Sequence, residues 1–187
     1  MKAFWIATFF VLIAEMGDKT QLVALAFATR YAAGTVMAGV FAATLLVHVV
    51  SVALGEAATV AVPVFWVQFV SGLAFIGFGA WTLRGDELGD EGEVKEHRWG
   101  PFFTVALTFF VAELGDKTML TTVTIASQQH QFVPVWLGST VGMVLADGLA
   151  IVVGKVLGAR LPDRLIRYGA AVIFILTGLV TIVLSFR

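Results

Sequence analysis

At 187 residues, with 59% hydrophobic residues, 13% charged residues and a formal net charge of -1, the chain carries far less charge than a soluble domain, where Asp, Glu, Lys and Arg make up about 25%. Its mean hydropathy of +0.93 reads as an all-α integral membrane protein in a lipid bilayer, and no basic patch suggests a nucleic-acid partner. Cysteine is absent, which excludes disulfides, thiolate metal sites and thiol catalysis, so any metal is held by oxygen or imidazole.

The chain opens with Lys2 and an apolar run over 3–14, the outline of a signal peptide. The same pattern returns in mid-chain at 102–112, so the run reads instead as the start of a retained helix. Apolar stretches of spanning length fall at 4–29, 35–54, 64–83, 102–127, 133–153 and 165–186; roughly 20 residues cross a bilayer. Six transmembrane helices are expected. The tryptophans Trp5, Trp66, Trp81, Trp99 and Trp136 lie near the expected helix ends, as an interfacial belt requires.

Ala14-Glu15-Met16-Gly17-Asp18-Lys19-Thr20 recurs 98 residues later as Ala112-Glu113-Leu114-Gly115-Asp116-Lys117-Thr118, identical at six of seven positions. At a shift of 99 the pairing continues through Gly39 with Gly138, Leu46 with Leu145, Gly55 with Gly154 and Gly79 with Gly178. The expected organisation is a first three-helix repeat at 1–84, an acidic linker at 85–100 and a second three-helix repeat at 101–187. Because three is odd, the second copy enters from the opposite face, which makes an inverted repeat with its site near the midplane between the halves.

The loops after the first, third and fifth helices hold Arg30, Arg84, Lys95, Arg98, Lys155, Arg160, Arg164 and Arg167, whereas the other side has Lys2 and Arg187. The positive-inside rule then puts the linker in the cytoplasm and both termini outside. The run Asp86-Glu87-Leu88-Gly89-Asp90-Glu91-Gly92-Glu93 lacks calcium-loop spacing and reads as a solvated tether.

Each motif follows 11 apolar residues, 4–14 and 102–112, about 16 Å of helix or half the hydrocarbon thickness. Entering from opposite faces, the two glutamates reach one level. On a continuous helix Glu15, Asp18 and Lys19 share a face, and Glu113, Asp116 and Lys117 repeat it. Ionisable groups in hydrocarbon cost about 2.5 to 3.5 kcal/mol each, so a matched set is read as functional. Glu15, Asp18, Glu113 and Asp116 are the candidate metal ligands, with Lys19, Thr20, Gln21, Lys117 and Thr118 as supporting groups. Gly17 and Gly115 sit where close approach or local unwinding would free carbonyls. Four carboxylates and two ammoniums sum to -2, which one divalent cation cancels. Oxygen ligands select hard cations, and carboxylates in a low-dielectric cavity hold protons strongly enough to exchange them for metal. His48 and Asp147 stand at equivalent places in the second and fifth helices, where a proton relay or an interhelical bond are both open. The glycines in 138–142 and 39–43 suit close helix packing.

Two copies of Glu-x-Gly-Asp-Lys-Thr, each in the first helix of a three-helix half and separated by an acidic loop, resemble a family of manganese and calcium transporters that includes Golgi cation/proton antiporters and bacterial manganese exporters. The resemblance spans nearly the whole chain, and its short length is similar to the bacterial members. It implies export of Mn2+ or Ca2+ in exchange for protons across a bacterial inner membrane, the motif residues forming the cation site, with no cofactor and no enzymatic activity. A passive divalent-cation channel and an exporter of a cationic organic solute are the alternative readings.

Overall fold

The computed structural model describes residues 1–84, 100–157 and 163–186, among which every regular element is helical. The elements are α1 (Lys2–Glu15), α2 (Lys19–Arg30), α3 (Ala33–Ala61), α4 (Val64–Arg84), α5 (Pro101–Glu113), α6 (Lys117–Gln129), α7 (Phe132–Leu157) and α8 (Asp163–Ser185). Four of them, α3, α4, α7 and α8, are long and apolar enough to cross a membrane. The expected linker, apart from Gly100, lies outside the described residues, as do the side chains of Lys19, Arg84, Lys155, Arg164 and Arg167 and all of Arg160 and Arg187.

The expected first and fourth helices are not continuous. Each is two helices of 12 to 14 residues, broken at the motif. The cause is local: Gly17 and Gly115 hold φ of 76° and 81°, a left-handed conformation that disfavours any residue with a Cβ and ends the right-handed ladder. A single face carrying Glu15, Asp18 and Lys19 therefore does not form. Glu15 closes α1, while Asp18 precedes α2; Glu113 and Asp116 are placed in the same way around the second break.

The helices pack across the two halves of the chain. The first half-helix, α1, lies mainly along α7, and α5 lies along α3; α4 and α8 pack against each other, and α3 meets both α6 and α7. Small residues permit this closeness. A Cβ on Gly39 would stand 2.8 Å from Val105 of α5, and one on Gly142 of α7 would stand 2.6 Å from the Thr8 carbonyl of α1. The glycines of 39–43 and 138–142 are thus packing positions, as their spacing suggested. Thr44 and Met143, equivalent at a shift of 99, meet each other, with Oγ1 3.4 Å from Sδ.

Two apolar clusters fill the interior. One gathers Ala7, Val52, Phe75, Ile125 and Phe174 around α6, and the other gathers Phe27, Val40, Val105 and Phe109 around α2. Ile125 and Phe27 are equivalent at a shift of 98, and both are fully buried. Trp5, Trp66 and Trp81 are exposed on the outer surface. Trp136 departs from the belt: its indole N–H donates to the Leu45 carbonyl at 2.9 Å, joining α7 to α3.

Filling one of the close approaches tests this packing. Gly142→Val is expected to destabilise the protein by about 1 to 3 kcal/mol, as overpacking does. Gly77→Val, where a Cβ meets nothing within 4 Å, should cost much less. Thermal unfolding of both variants in detergent checks the difference.

Candidate cation site

Breaking α1 and α5 leaves the last carbonyls of each and the first N–H groups of α2 and α6 without intrahelical partners, so each break concentrates polar backbone. The turns close on short bonds: Asp18 N–H donates to the Glu15 carbonyl at 3.1 Å, and Asp116 N–H donates to the Glu113 carbonyl at 3.3 Å. The ends of the breaks are held differently. Gly17 N–H donates to Gln21 Oε1 at 2.9 Å, and Gln21 Nε2 donates onward to the Ala146 carbonyl of α7 at 3.2 Å. In the second motif Met119 replaces Gln21, and its Sδ lies 3.2 Å from Gly115 N–H.

The two motifs meet. Glu15 accepts hydrogen bonds from Thr20 Oγ1 of its own copy and from Thr118 Oγ1 of the other, the latter at 3.0 Å. Lys117 Nζ stands 3.2 Å from Asp18 Oδ2, an ion pair with both side chains sealed from solvent. Glu15, Asp18, Thr20, Glu113, Asp116, Lys117, Thr118 and Asp147 are all buried. Glu113 interacts electrostatically with Glu15, Asp116, Asp18 and Asp147, and Asp147 with Glu15. Five carboxylates therefore share one region.

Within that region the carboxylates are unequally satisfied. Both oxygens of Glu113, both of Asp147 and Oδ2 of Asp116 have no hydrogen-bond partner, although a buried unpaired polar atom costs about 1 to 3 kcal/mol and more when charged. Among the described residues no group of three or more His, Asp or Glu side chains is drawn tightly enough to hold a metal ion. The charge carried by Lys117 and the two threonine hydroxyls occupy Glu15 and Asp18 instead.

The remaining expected residues sort by their contacts. Two further threonines of α6 near the site, Thr121 and Thr122, donate to the carbonyls of Lys117 and Thr118 one turn back, at 2.7 and 3.1 Å, and are spent on their own helix. His48 is buried, with Nδ1 3.5 Å from Thr140 Oγ1 and Nε2 without a partner; no described contact joins it to Asp147. Lys19 opens α2, but its side chain lies outside the described residues. Sequence reasoning missed the Ala146 carbonyl, which has no side-chain signature; the buried Ser139 Oγ has no hydrogen-bond partner.

Paired half-helices presenting buried carboxylates and a lysine between packed apolar helices are an arrangement of membrane transporters of small ions. The profile of the divalent cation/proton antiporter family GDT1 matches the chain twice, over residues 3–90 and 101–187. The chain belongs to the GDT1 family of divalent cation/proton antiporters. It is 35% identical to a Vibrio cholerae protein provisionally named a manganese exporter, covering 91% of this chain and 86% of that one. It is 26% identical to GDT1-like protein 5 of Arabidopsis thaliana, covering 89% of each. It is 25% identical to a GDT1-like protein of Synechocystis, covering 97% of each. No solved structure matches the chain.

The Lys117–Asp18 pair allows a direct energetic test. Lys117→Met leaves a buried carboxylate without this ammonium and is expected to cost about 3 to 5 kcal/mol. Adding Asp18→Asn should return a large part of that loss. A double-mutant cycle read by chemical unfolding measures the coupling.

Proposed function

We propose that the chain exports Mn2+ from the cytoplasm in exchange for protons, using one site built from both motifs. The observation that carries this reading is the meeting of the motifs: Thr118 and Lys117 of one copy engage Glu15 and Asp18 of the other. Mn2+ is the favoured substrate because the donors are carboxylates, hydroxyls and carbonyls, which suit hard cations, and because the Vibrio cholerae relative is named for manganese. Ca2+ shares the ligand chemistry and is the second substrate to test.

Glu15, Asp18, Glu113 and Asp116 are assigned as ligands. Arriving metal displaces Lys117 from Asp18 and draws in Glu113, whose oxygens have no hydrogen-bond partner to give up. Carbonyls at the Gly17 and Gly115 breaks are assigned as further oxygen donors. On release, the site must regain positive charge, since several ionised carboxylates cannot stay together in a low-dielectric interior. Protons on the glutamates and return of Lys117 to Asp18 supply it, and that replacement couples metal to protons. Thr20, Gln21, Thr118 and Lys19 support the ligands, and Asp147, close to Glu15 and Glu113 in charge, is assigned to proton coupling with His48.

In this reading α1 with α2, and α5 with α6, each form one broken crossing, so six crossings make two inverted three-helix repeats at 1–84 and 101–187. The loop-charge asymmetry sets the linker in the cytoplasm and both termini outside, in a bacterial inner membrane.

Flux in proteoliposomes tests the reading. An imposed proton gradient should drive Mn2+ uphill, and Glu15→Gln or Glu113→Gln should abolish transport while the protein remains folded. Mn2+ flux indifferent to the pH gradient at clamped potential would establish a channel instead. A cysteine at Gly89 should react with impermeant reagent from the cytoplasmic side only, and one at Lys2 or Arg187 from outside only; reaction of Gly89 and Arg187 from the same face would rule out the inverted arrangement.

A further inference from the structure

Beyond each motif the second half-helix carries one large apolar side chain that the exchange described above does not use. Phe27 follows Thr20 by seven residues on α2, and Ile125 follows Thr118 by seven on α6. Seven residues are two turns, so each stands on the same helix face as a threonine that donates to Glu15, about 10 Å further along the axis. Both are sealed from solvent, Phe27 in a cluster with Val40, Val105 and Phe109, and Ile125 in one with Val52, Phe75 and Phe174.

The setting of Ile125 is not that of ordinary packing. Thr118, Thr121, Thr122, Thr124 and Ser127 of α6 are all buried, a row of hydroxyls where a helix that only packed would carry apolar side chains. Thr121, Thr122, Thr124 and Ser127 donate to carbonyls of their own helix, which leaves oxygen lone pairs to accept from water. Ile125 is the one large apolar side chain of α6 that is fully buried, and it interrupts this row. Just past it, Ser127 and Gln128 line a polar cavity of about 260 Å³. On α2 the places of Thr121, Thr122 and Thr124 are taken by Val23, Ala24 and Ala26, so the approach to Phe27 from the motif is apolar.

We propose that Phe27 and Ile125 are the two gates of the transporter, Phe27 closing the site toward the cytoplasm and Ile125 closing it toward the outside. The assignment rests on the motif site and the orientation proposed above. An apolar constriction stops a hydrated cation by dewetting, and an ion stripped of its water does not enter hydrocarbon. Both layers are shut in this structure, and the carboxylates between them are buried.

The gates are tied to the site through the helices that carry them. Each half-helix starts at a motif and ends beyond its gate, so a tilt that follows a change of partners at Glu15 moves Phe27 or Ile125 with it. The two are held differently: α6 is enclosed by α1, α3, α4 and α7, whereas α2 lies mainly along α7. Opening one therefore does not require opening the other, which is the condition alternating access sets.

The test uses single cysteines in the full chain, which has none of its own. Val23→Cys and Thr121→Cys change little volume at equivalent buried positions between the motif and each gate. They are labelled with a membrane-impermeant cationic methanethiosulfonate in right-side-out and inside-out vesicles. Val23→Cys should react from the cytoplasmic face only, and Thr121→Cys from the outer face only. Adding Phe27→Ala should raise the Val23→Cys rate at least about tenfold and leave the Thr121→Cys rate unchanged, and Ile125→Ala should do the converse. Ile125→Thr, which removes little volume but continues the hydroxyl row, should act in the same direction as Ile125→Ala, so the result does not depend on a cavity or on the alanine variant folding. Truncation that raises both rates marks loosened packing and overturns the proposal, as does truncation that raises neither, or labelling of both reporters from one face. Exchange of the two faces would reverse the orientation and still support paired gates. Mn2+ flux indifferent to the pH gradient would overturn the antiport reading alone, since the gates are read by labelling and not by flux.

Discussion

Carboxylates sealed from water must find positive charge or hydrogen-bond donors, and in this protein the second motif supplies both to the first. Glu15 takes one hydroxyl from its own copy and one from the other, and Asp18 takes its ammonium from Lys117, 99 residues away. Desolvation makes the partnership obligatory: an ion removed from water loses several kcal/mol that only close, well-directed partners offset. The packing of α1 along α7 and of α5 along α3 brings those partners together. The close approaches at Gly39 and Gly142 are what allow it, because a side chain at either position would hold the half-helices away.

The breaks at Gly17 and Gly115 serve the same constraint from the backbone side. A continuous helix would satisfy every N–H and C=O internally and place the acids on a smooth face. Two positive φ angles divide each apolar stretch into a pair of half-helices whose ends lie next to the carboxylates. The breaks lie beside buried carboxylates, Gly17 itself half-buried and Gly115 exposed. Glu113, with both oxygens unpartnered, is the carboxylate least committed to partners within the protein.

Near-identical motifs do not have identical surroundings. Thr20 and Thr118 occupy equivalent positions, yet both donate to Glu15 and neither to Glu113. Gln21 ties the first break to α7 through the Ala146 carbonyl, whereas Met119 in the equivalent place offers only a thioether to Gly115. Phe27 and Ile125, equivalent and fully buried, close apolar layers beyond each motif. The asymmetry lies in hydrogen bonding and in the Gln21-for-Met119 difference, while a fully buried apolar side chain follows each motif.

The membrane class, the helical architecture, the repeated Glu-x-Gly-Asp-Lys-Thr motif and the packing role of the glycines were legible in the sequence, because each rests on composition, periodicity or side-chain size along a single element. The helix breaks were less so. Glycine at 17 and 115 permits unwinding but does not require it, and the left-handed φ that ends each helix is read only from the folded chain. Hence the shared face expected for Glu15, Asp18 and Lys19 gave way to bonds between halves. The pairing of Asp18 with Lys117, the meeting of Thr118 with Glu15 and the placing of Asp147 near the glutamates were decided by tertiary structure alone. Each is a choice among partners far apart in the chain, and their distances and directions exist only once the helices are packed.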